Sequence, residues 1–239
     1  SFVRALLPFE PARLVVVDTN ENALTELTRD LRSSEGTIVP PAYTTYPVDF
    51  GSATFARLFR AEGAKLAITG RNGQTLREAA EELDALAIRS DMGDIAAREA
   101  AMPEIADALG GIDVLAVNAG VGGFASVDAI TEEFWDGIHA VNLKGAFFAI
   151  QKALPLMRDG GAIVITGSIG SISAVPGNAA YAAAKAGIRA VARILAAELL
   201  PRRIRVNVVS PGPTDTDIFK RDALPEEIAG LREFFKGVV

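Results

Sequence analysis

Short apolar, β-branched runs alternate with longer amphipathic stretches along nearly the whole chain. The runs Arg13–Asp18, Thr37–Tyr43, Ala64–Thr69, Ala85–Arg89, Asp113–Asn118, Gly161–Gly167 and Arg203–Ser210 predict strands. Between them, the spacing of apolar positions predicts helices over Glu21–Arg32, Ser52–Glu62, Gln74–Leu83, Ile95–Leu109, Glu132–Met157 and Asn178–Leu200. Strands that read as near-continuous hydrophobic runs are buried on both faces, as a parallel sheet requires. A strand–helix alternation of this kind implies right-handed βαβ crossovers, and so an α/β fold with a doubly wound parallel sheet. The polar and glycine-rich breaks fall at the C-terminal ends of the strands, where open α/β sheets take their ligands.

No Pro/Ser-rich linker divides the chain, so residues 1–239 are read as one domain. It has 239 residues, of which 49% are hydrophobic and 23% charged, close to an ordinary soluble domain. The formal charge of −6 argues against nucleic acid or an anionic membrane as a partner. With no Cys and a single His (His139), disulfides, thiolate chemistry and multi-histidine metal sites are excluded. No apolar run reaches the ~20 residues of a membrane-spanning helix, and no secretory signal opens the chain, so a cytoplasmic protein is expected. The chain begins at Ser1 and ends shortly after a helix-like stretch, which reads as part of a longer protein.

The richest chemistry lies in the segment from Gly160 to Leu199. A predicted strand ends at Thr166–Gly167, Ser168 follows it, and thirteen residues later Tyr181 opens a helix with Lys185 one turn on. Residues four apart share a helix face, so the phenol and the ammonium point the same way. A free phenol has a pKa of about 10 and is a poor acid–base catalyst at neutral pH. A nearby cation favours the phenolate and lowers that pKa, while a serine hydroxyl can hold a substrate oxygen beside it.

From about Arg57 to Phe219 the chain resembles the classical short-chain dehydrogenase/reductase family. The matching segments are VLAVNAG (Val114–Gly120), VNLKGAF (Val141–Phe147), Ser168, YAAAK (Tyr181–Lys185) and RVNVVSPGPTDT (Arg205–Thr216), in the family's order. The resemblance implies a Rossmann-like sheet and Tyr181 as general acid/base. Lys185 would lower the pKa of Tyr181 and hold the nicotinamide ribose, Ser168 would hold the substrate carbonyl, and Asn142 would order a relay water. It also implies an adenosine ribose lying against Asn118, Ala119 and Gly120, with Pro211, Gly212, Thr214 and Thr216 bordering the nicotinamide, and Asp91 and Met92 near the adenine. Gly70 occupies the place where a carboxylate usually selects NAD, and Arg71 follows it; a guanidinium there suits a 2′-phosphate, so NADP is favoured over NAD. Family members form dimers or tetramers through the helices that correspond to Glu132–Met157 and Asn178–Leu200, and a homodimer or homotetramer is expected here.

The resemblance breaks at the phosphate loop. The family's T-G-x-x-x-G-x-G falls on Thr44–Gly51, where only Thr44 and Gly51 match, and no G-x-G-x-x-G occurs anywhere. The first ~60 residues look instead like sugar-nucleotide dehydratases of the extended branch, with Asp18 in the ribose-binding place. Residues 1–50 are therefore an atypical βα segment, 51–219 the dehydrogenase-like core and 220–239 part of a substrate lid. Three functions follow. The first is an NADP-dependent oxidoreductase for a small carbonyl/alcohol pair; the second is a Rossmann scaffold with impaired cofactor binding. The third is a sugar-nucleotide dehydratase or epimerase, disfavoured by VNLKGAF and PGPTDT.

Overall fold

A computed structural model describes residues 13–18, 42–47 and 63–212. The chain divides into two compact units, Ser1–Leu66 with Arg77–Ala85 and Ala67–Leu76 with Leu86–Val239. In the first, β1 (Arg13–Asp18) and β2 (Ala42–Pro47) pair in parallel from Arg13↔Ala42 to Asp18↔Pro47. Strand β2 starts five residues later than the pattern predicts. Pro40 and Pro41 precede it, and a proline has no N–H to give to a ladder. Thr44 to Pro47, the start of the segment aligned with the phosphate loop, is therefore extended strand rather than a glycine turn.

The second unit has the predicted alternation: β3 (Ala67–Gly70), α1 (Gly73–Leu83, which crosses the boundary between the units), β4 (Leu86–Arg89), α2 (Ile95–Leu109) and β5 (Ile112–Val117). Helix α3 (Glu132–His139), a π-helical segment (Ala140–Gly145) and α4 (Ala146–Ala153) follow, then β6 (Met157–Thr166), α5 (Ala179–Glu198) and β7 (Arg205–Val209). The helix starts follow local chemistry. Asp94 accepts from Ala97 N at 3.1 Å and caps α2, and Thr131 accepts from Phe134 N at 3.2 Å and caps α3. Gly110, at φ 67°, closes α2 in the left-handed conformation that favours glycine.

All observed strand pairs are parallel, and β5–β6–β7 are adjacent as expected. Strand β3 departs from expectation: it pairs with β4 in a separate two-stranded sheet, and β5 pairs only with β6 among the described residues. The predicted single helix Glu132–Met157 is also interrupted. The π segment opens it at Ala140, and it ends at Ala153, two residues before Pro155, so Met157 is free to start β6 opposite Ile112. A Cβ on Gly145 would clash with the carbonyl oxygen of Met92, so glycine there admits the loop that follows β4.

The core of this unit joins Ile163 and Ile165 of β6 to Ile150 of α4 and to Ile188, Ala192 and Leu195 of α5. Ile88 of β4 and Val117 of β5 belong to the same cluster. Burying each large aliphatic side chain contributes about 1.5–3 kcal/mol, so this cluster anchors the strand ends that carry the chemistry. Among the described residues, no helix is long and apolar enough to cross a membrane.

Candidate active site

The C-terminal ends of β5 and β6 and the first turns of α5 bring Asn118, Gly120, Asn142, Ser168, Tyr181 and Lys185 together. Ser168 leaves β6 and caps a single 3-10 turn (Ile169–Ser171), with its Oγ accepting from Gly170 N at 3.0 Å. Tyr181 and Lys185 lie on the buried side of α5, only 8% and 4% exposed, and the Lys185 Nζ is 5.7 Å from the Tyr181 ring centroid. Lys185 Nζ donates to the Thr166 carbonyl at 2.7 Å, which ties α5 to the end of β6. Thr166 in turn donates from Oγ1 to Asn118 Oδ1 at 2.7 Å.

Asn142 is 1% exposed, within the π segment. Its Oδ1 accepts from Val121 N at 2.9 Å and its Nδ2 donates to Val121 O at 2.7 Å, so it clamps the loop after β5 with both ends of the amide. A Cβ on Gly120 would lie 3.3 Å from that Oδ1 and 3.6 Å from Lys185 Nζ. A side chain there would press on the Asn142 amide and touch the lysine, and glycine keeps the floor of the site open.

Burial raises the Tyr181 phenol above its ordinary value, and the hydrogen bond from Ser168 pulls it back only in part. Desolvation is the larger influence on this phenol, and Lys185 Nζ gives one of its three N–H donors to Thr166. Burial lowers Lys185 itself to about 8.

On the other side, Gly70 ends β3 and Arg71 follows it, and Arg89 Nε donates to the Arg71 carbonyl at 3.2 Å, so two exposed arginines stand together. Asp91 accepts from Gly93 N at 2.8 Å through Oδ1, and Asp94 rather than Asp91 caps α2. The Asp91–Gly93 loop reaches the π segment, since a Cβ on Gly93 would touch Val141 Cγ2 at 4.0 Å. Ile169 N donates to Pro211 O at 3.1 Å, which sets Pro211 and Gly212 beside the Ser168 turn. Gly51, Thr214 and Thr216 lie outside the described residues.

Three residues with structural weight escaped the sequence reading. Arg98 is buried in α2 and its Nη1 donates to the carbonyls of Asp91 and Met92, although its position after Asp94 reads as a solvated helix charge. Burial pushes its guanidinium below the ordinary value, against the pull of Asp94 and Asp91. Thr166 looked like an ordinary strand end. Asn178 looked like a helix start.

Residues 51–232 match the family described as enoyl-(acyl carrier protein) reductase. The chain belongs to the short-chain dehydrogenase/reductase family, with its Rossmann-like α/β fold. Over 169 residues, 69% of this chain and 74% of the relative, it is 40% identical to the inactive 2-(S)-hydroxypropyl-CoM dehydrogenase 2 of Xanthobacter autotrophicus. It is similar to a short-chain dehydrogenase of Burkholderia cenocepacia solved with NADP, with 34% identity, TM-score 0.67, and 75% and 76% of the two chains covered. It is also similar to a 3-ketoacyl-(acyl-carrier-protein) reductase of Brucella melitensis solved with NADH, with 30% identity, TM-score 0.66, and 71% and 73% covered. The match begins at residue 51, so the resemblance of the first ~60 residues to extended-branch dehydratases gains no support from it.

Proposed function

We propose that this protein is an NADP(H)-dependent oxidoreductase acting on a small carbonyl/alcohol pair, with Tyr181 as the proton donor. The observation that carries the reading is the buried Tyr181 phenol, hydrogen-bonded by Ser168, one turn from a Lys185 anchored to the sheet. The fit to a dinucleotide is uneven. The open floor at Gly120 suits a bound dinucleotide, and Ser90, which follows β4, has a buried Oγ without a partner among the described residues, a polar atom suited to the adenosine side. Thr44–Pro47, the start of the segment aligned with the phosphate loop, is strand rather than the glycine turn that cradles a pyrophosphate, and the rest of that segment lies outside the described residues.

Bound there, a nicotinamide supplies the hydride. The chain's own residues do the rest. Ser168 donates a hydrogen bond to the carbonyl oxygen and Tyr181 delivers the proton to that same oxygen. Burial keeps Tyr181 protonated at neutral pH, the state a donor requires. Lys185 supplies positive charge beside the phenol as it gives up its proton, and Asn142 fixes the loop that forms the floor. Arg71, with Arg89 beside it, favours NADP over NAD by offering guanidinium donors to a 2′-phosphate. Exposed apolar side chains on the long helices, Trp135 of α3 and Ile194 of α5 (59% exposed), support a homodimer or homotetramer joined through those helices.

A second reading, a Rossmann scaffold that binds cofactor poorly, is favoured by the strand at Thr44–Pro47 and agrees with the relative described as inactive. Titrating NADPH into the protein while following nicotinamide fluorescence separates the two. Saturation at micromolar concentrations supports the oxidoreductase; no saturation up to millimolar supports the scaffold.

A further inference from the structure

Asn178 stands at the N-cap of α5, the position where Asn is favoured because its side-chain oxygen takes a free backbone N–H of the first turn. It makes no such bond. Its side chain is 7% exposed, and its Oδ1 is buried without a hydrogen-bond partner among the described residues. The amide lies instead beside Gly170. A Cβ built on Gly170 would stand 3.3 Å from Asn178 Nδ2, 3.2 Å from Ser168 Oγ and 3.6 Å from Tyr181 Cε1. The Nδ2 end of the amide, the serine hydroxyl and the phenol ring therefore lie around one point, which glycine at 170 leaves clear, and the unpaired Oδ1 belongs to that same amide.

Leaving a cap unmade and burying an unpaired amide oxygen both cost stability. In native proteins a buried polar group left unpaired is rare and calls for a reason, and an amide oxygen is an acceptor only. We propose that Asn178 is a substrate-specificity residue whose Oδ1 accepts a hydrogen bond from a hydroxyl or N–H that the substrate carries beside the reacting carbonyl. This rests on the oxidoreductase reading above and adds the substrate class: hydroxy-ketones and their diol products in preference to plain ketones. A plain ketone leaves Oδ1 desolvated and unpaired, which is the discrimination that buried polar groups enforce most strongly. A substrate with a carboxylate in that place is disfavoured, because two acceptors would face each other.

The test compares 3-hydroxy-2-butanone with 2-butanone as substrates for the full chain with NADPH. The expected result is a kcat/KM higher by about tenfold or more for the hydroxy-ketone, the worth of one well-made buried hydrogen bond. Asn178→Ala is expected to erase that preference by lowering kcat/KM for the hydroxy-ketone alone. Asn178→Asp, which retains an acceptor oxygen and remains a good helix cap, is expected to keep it. Equal losses on both ketones in Asn178→Ala, or no preference in the parent protein, would overturn the proposal in favour of a purely structural asparagine. A second readout needs no turnover. In 15N-labelled protein with NADPH, the Asn178 side-chain amide pair, assigned from its loss in Asn178→Asp, should shift with 3-hydroxy-2-butanone and stay put with 2-butanone. If neither ketone is reduced, the oxidoreductase reading falls while the amide shift still decides this one; an amide pair that ignores both ketones sinks the proposal.

Discussion

Strand β6 has a hydrogen-bonded neighbour on each side, β5 and β7, whereas β3 and β5 each have a single partner among the described residues. The burial of the strands follows. Gly161 to Ile163 and Ile165 of β6 are buried, while Val114 of β5 is 53% exposed despite the same apolar sequence character. In the doubly wound order 3-2-1-4-5-6, the first strand lies between the second and the fourth. Here the two sheets of the second unit, β4–β3 and β5–β6–β7, part at that place. In the family pattern the strand and loop at that place correspond to the residues ahead of Gly51, where this sequence leaves the pattern. Ser168, Tyr181 and Lys185 thus stand beside β6, which has a partner on each side, and Arg71 follows β3, which has a single partner among the described residues.

The sharpest way to break that comparison is to remove the phenol from the β6 side. Tyr181→Phe keeps the ring and its packing and deletes only the hydroxyl. General acid catalysis is worth 10²–10⁴-fold, about 3–5 kcal/mol of barrier. The kcat for ketone reduction is expected to fall by that factor, with the melting temperature nearly unchanged and NADPH binding retained. Full turnover in Tyr181→Phe would reduce the family likeness to a likeness of fold.

Next in size is Asn142→Leu, which replaces a buried amide by an apolar side chain of similar volume. Both Val121 backbone groups lose their partner, and each unpaired buried group costs about 1–3 kcal/mol. Thermal unfolding is expected to come lower by roughly 5–10 °C, at about 2–4 °C per kcal/mol for a chain of this length. A melting temperature within a degree of the parent would mean that the loop after β5 stands without its clamp.

The legible and illegible parts of the sequence divide along the same line. Ser168, Tyr181 and Lys185 could be placed because strand end and helix register alone fix their geometry, and the strand order β5–β6–β7 followed from apolar runs. The break between β3 and β5 was hidden, since pairing is set by what lies beside a strand and not by its own pattern. The π segment was hidden for a similar reason: the approach of Met92 to Gly145 is a contact between residues far apart in sequence. Arg98 and Asn178 were missed because surface helix charges and helix caps use the same residue types.

Lys185 gives the β6 side a pH signature. Its folded-state value of about 8 lies below the ordinary 10.5, so between those limits the unfolded chain holds a proton that the folded chain does not. Stability therefore rises with pH from about 8 toward 10. The raised phenol of Tyr181 acts in the opposite sense above its ordinary 10.0, where the unfolded chain loses a proton that the folded chain keeps. The expected profile is a gain of about 1–3 kcal/mol in unfolding free energy between pH 8 and 10, flattening beyond. Lys185→Met should lose the slope, and a parent profile already flat over that window would contradict the buried ammonium.

The smallest effect probes the β3 side. Arg71 is exposed, so any contact it makes with a 2′-phosphate is partly screened, and a factor of about ten in affinity is the scale to expect. Arg71→Asp exchanges a guanidinium for a carboxylate, which repels a 2′-phosphate and accepts from a 2′-hydroxyl. The ratio of NADP to NAD affinity, read by fluorescence titration of the reduced forms, should fall by about that tenfold or more. Because Arg89 remains beside it, part of the preference for NADP should survive, and Arg71→Asp/Arg89→Ala should remove the rest. If the ratio stays where it was in both variants, the arginines are solvent-facing and the ends of β3 and β4 do not read the ribose. Cofactor choice would then have to come from elsewhere in the chain.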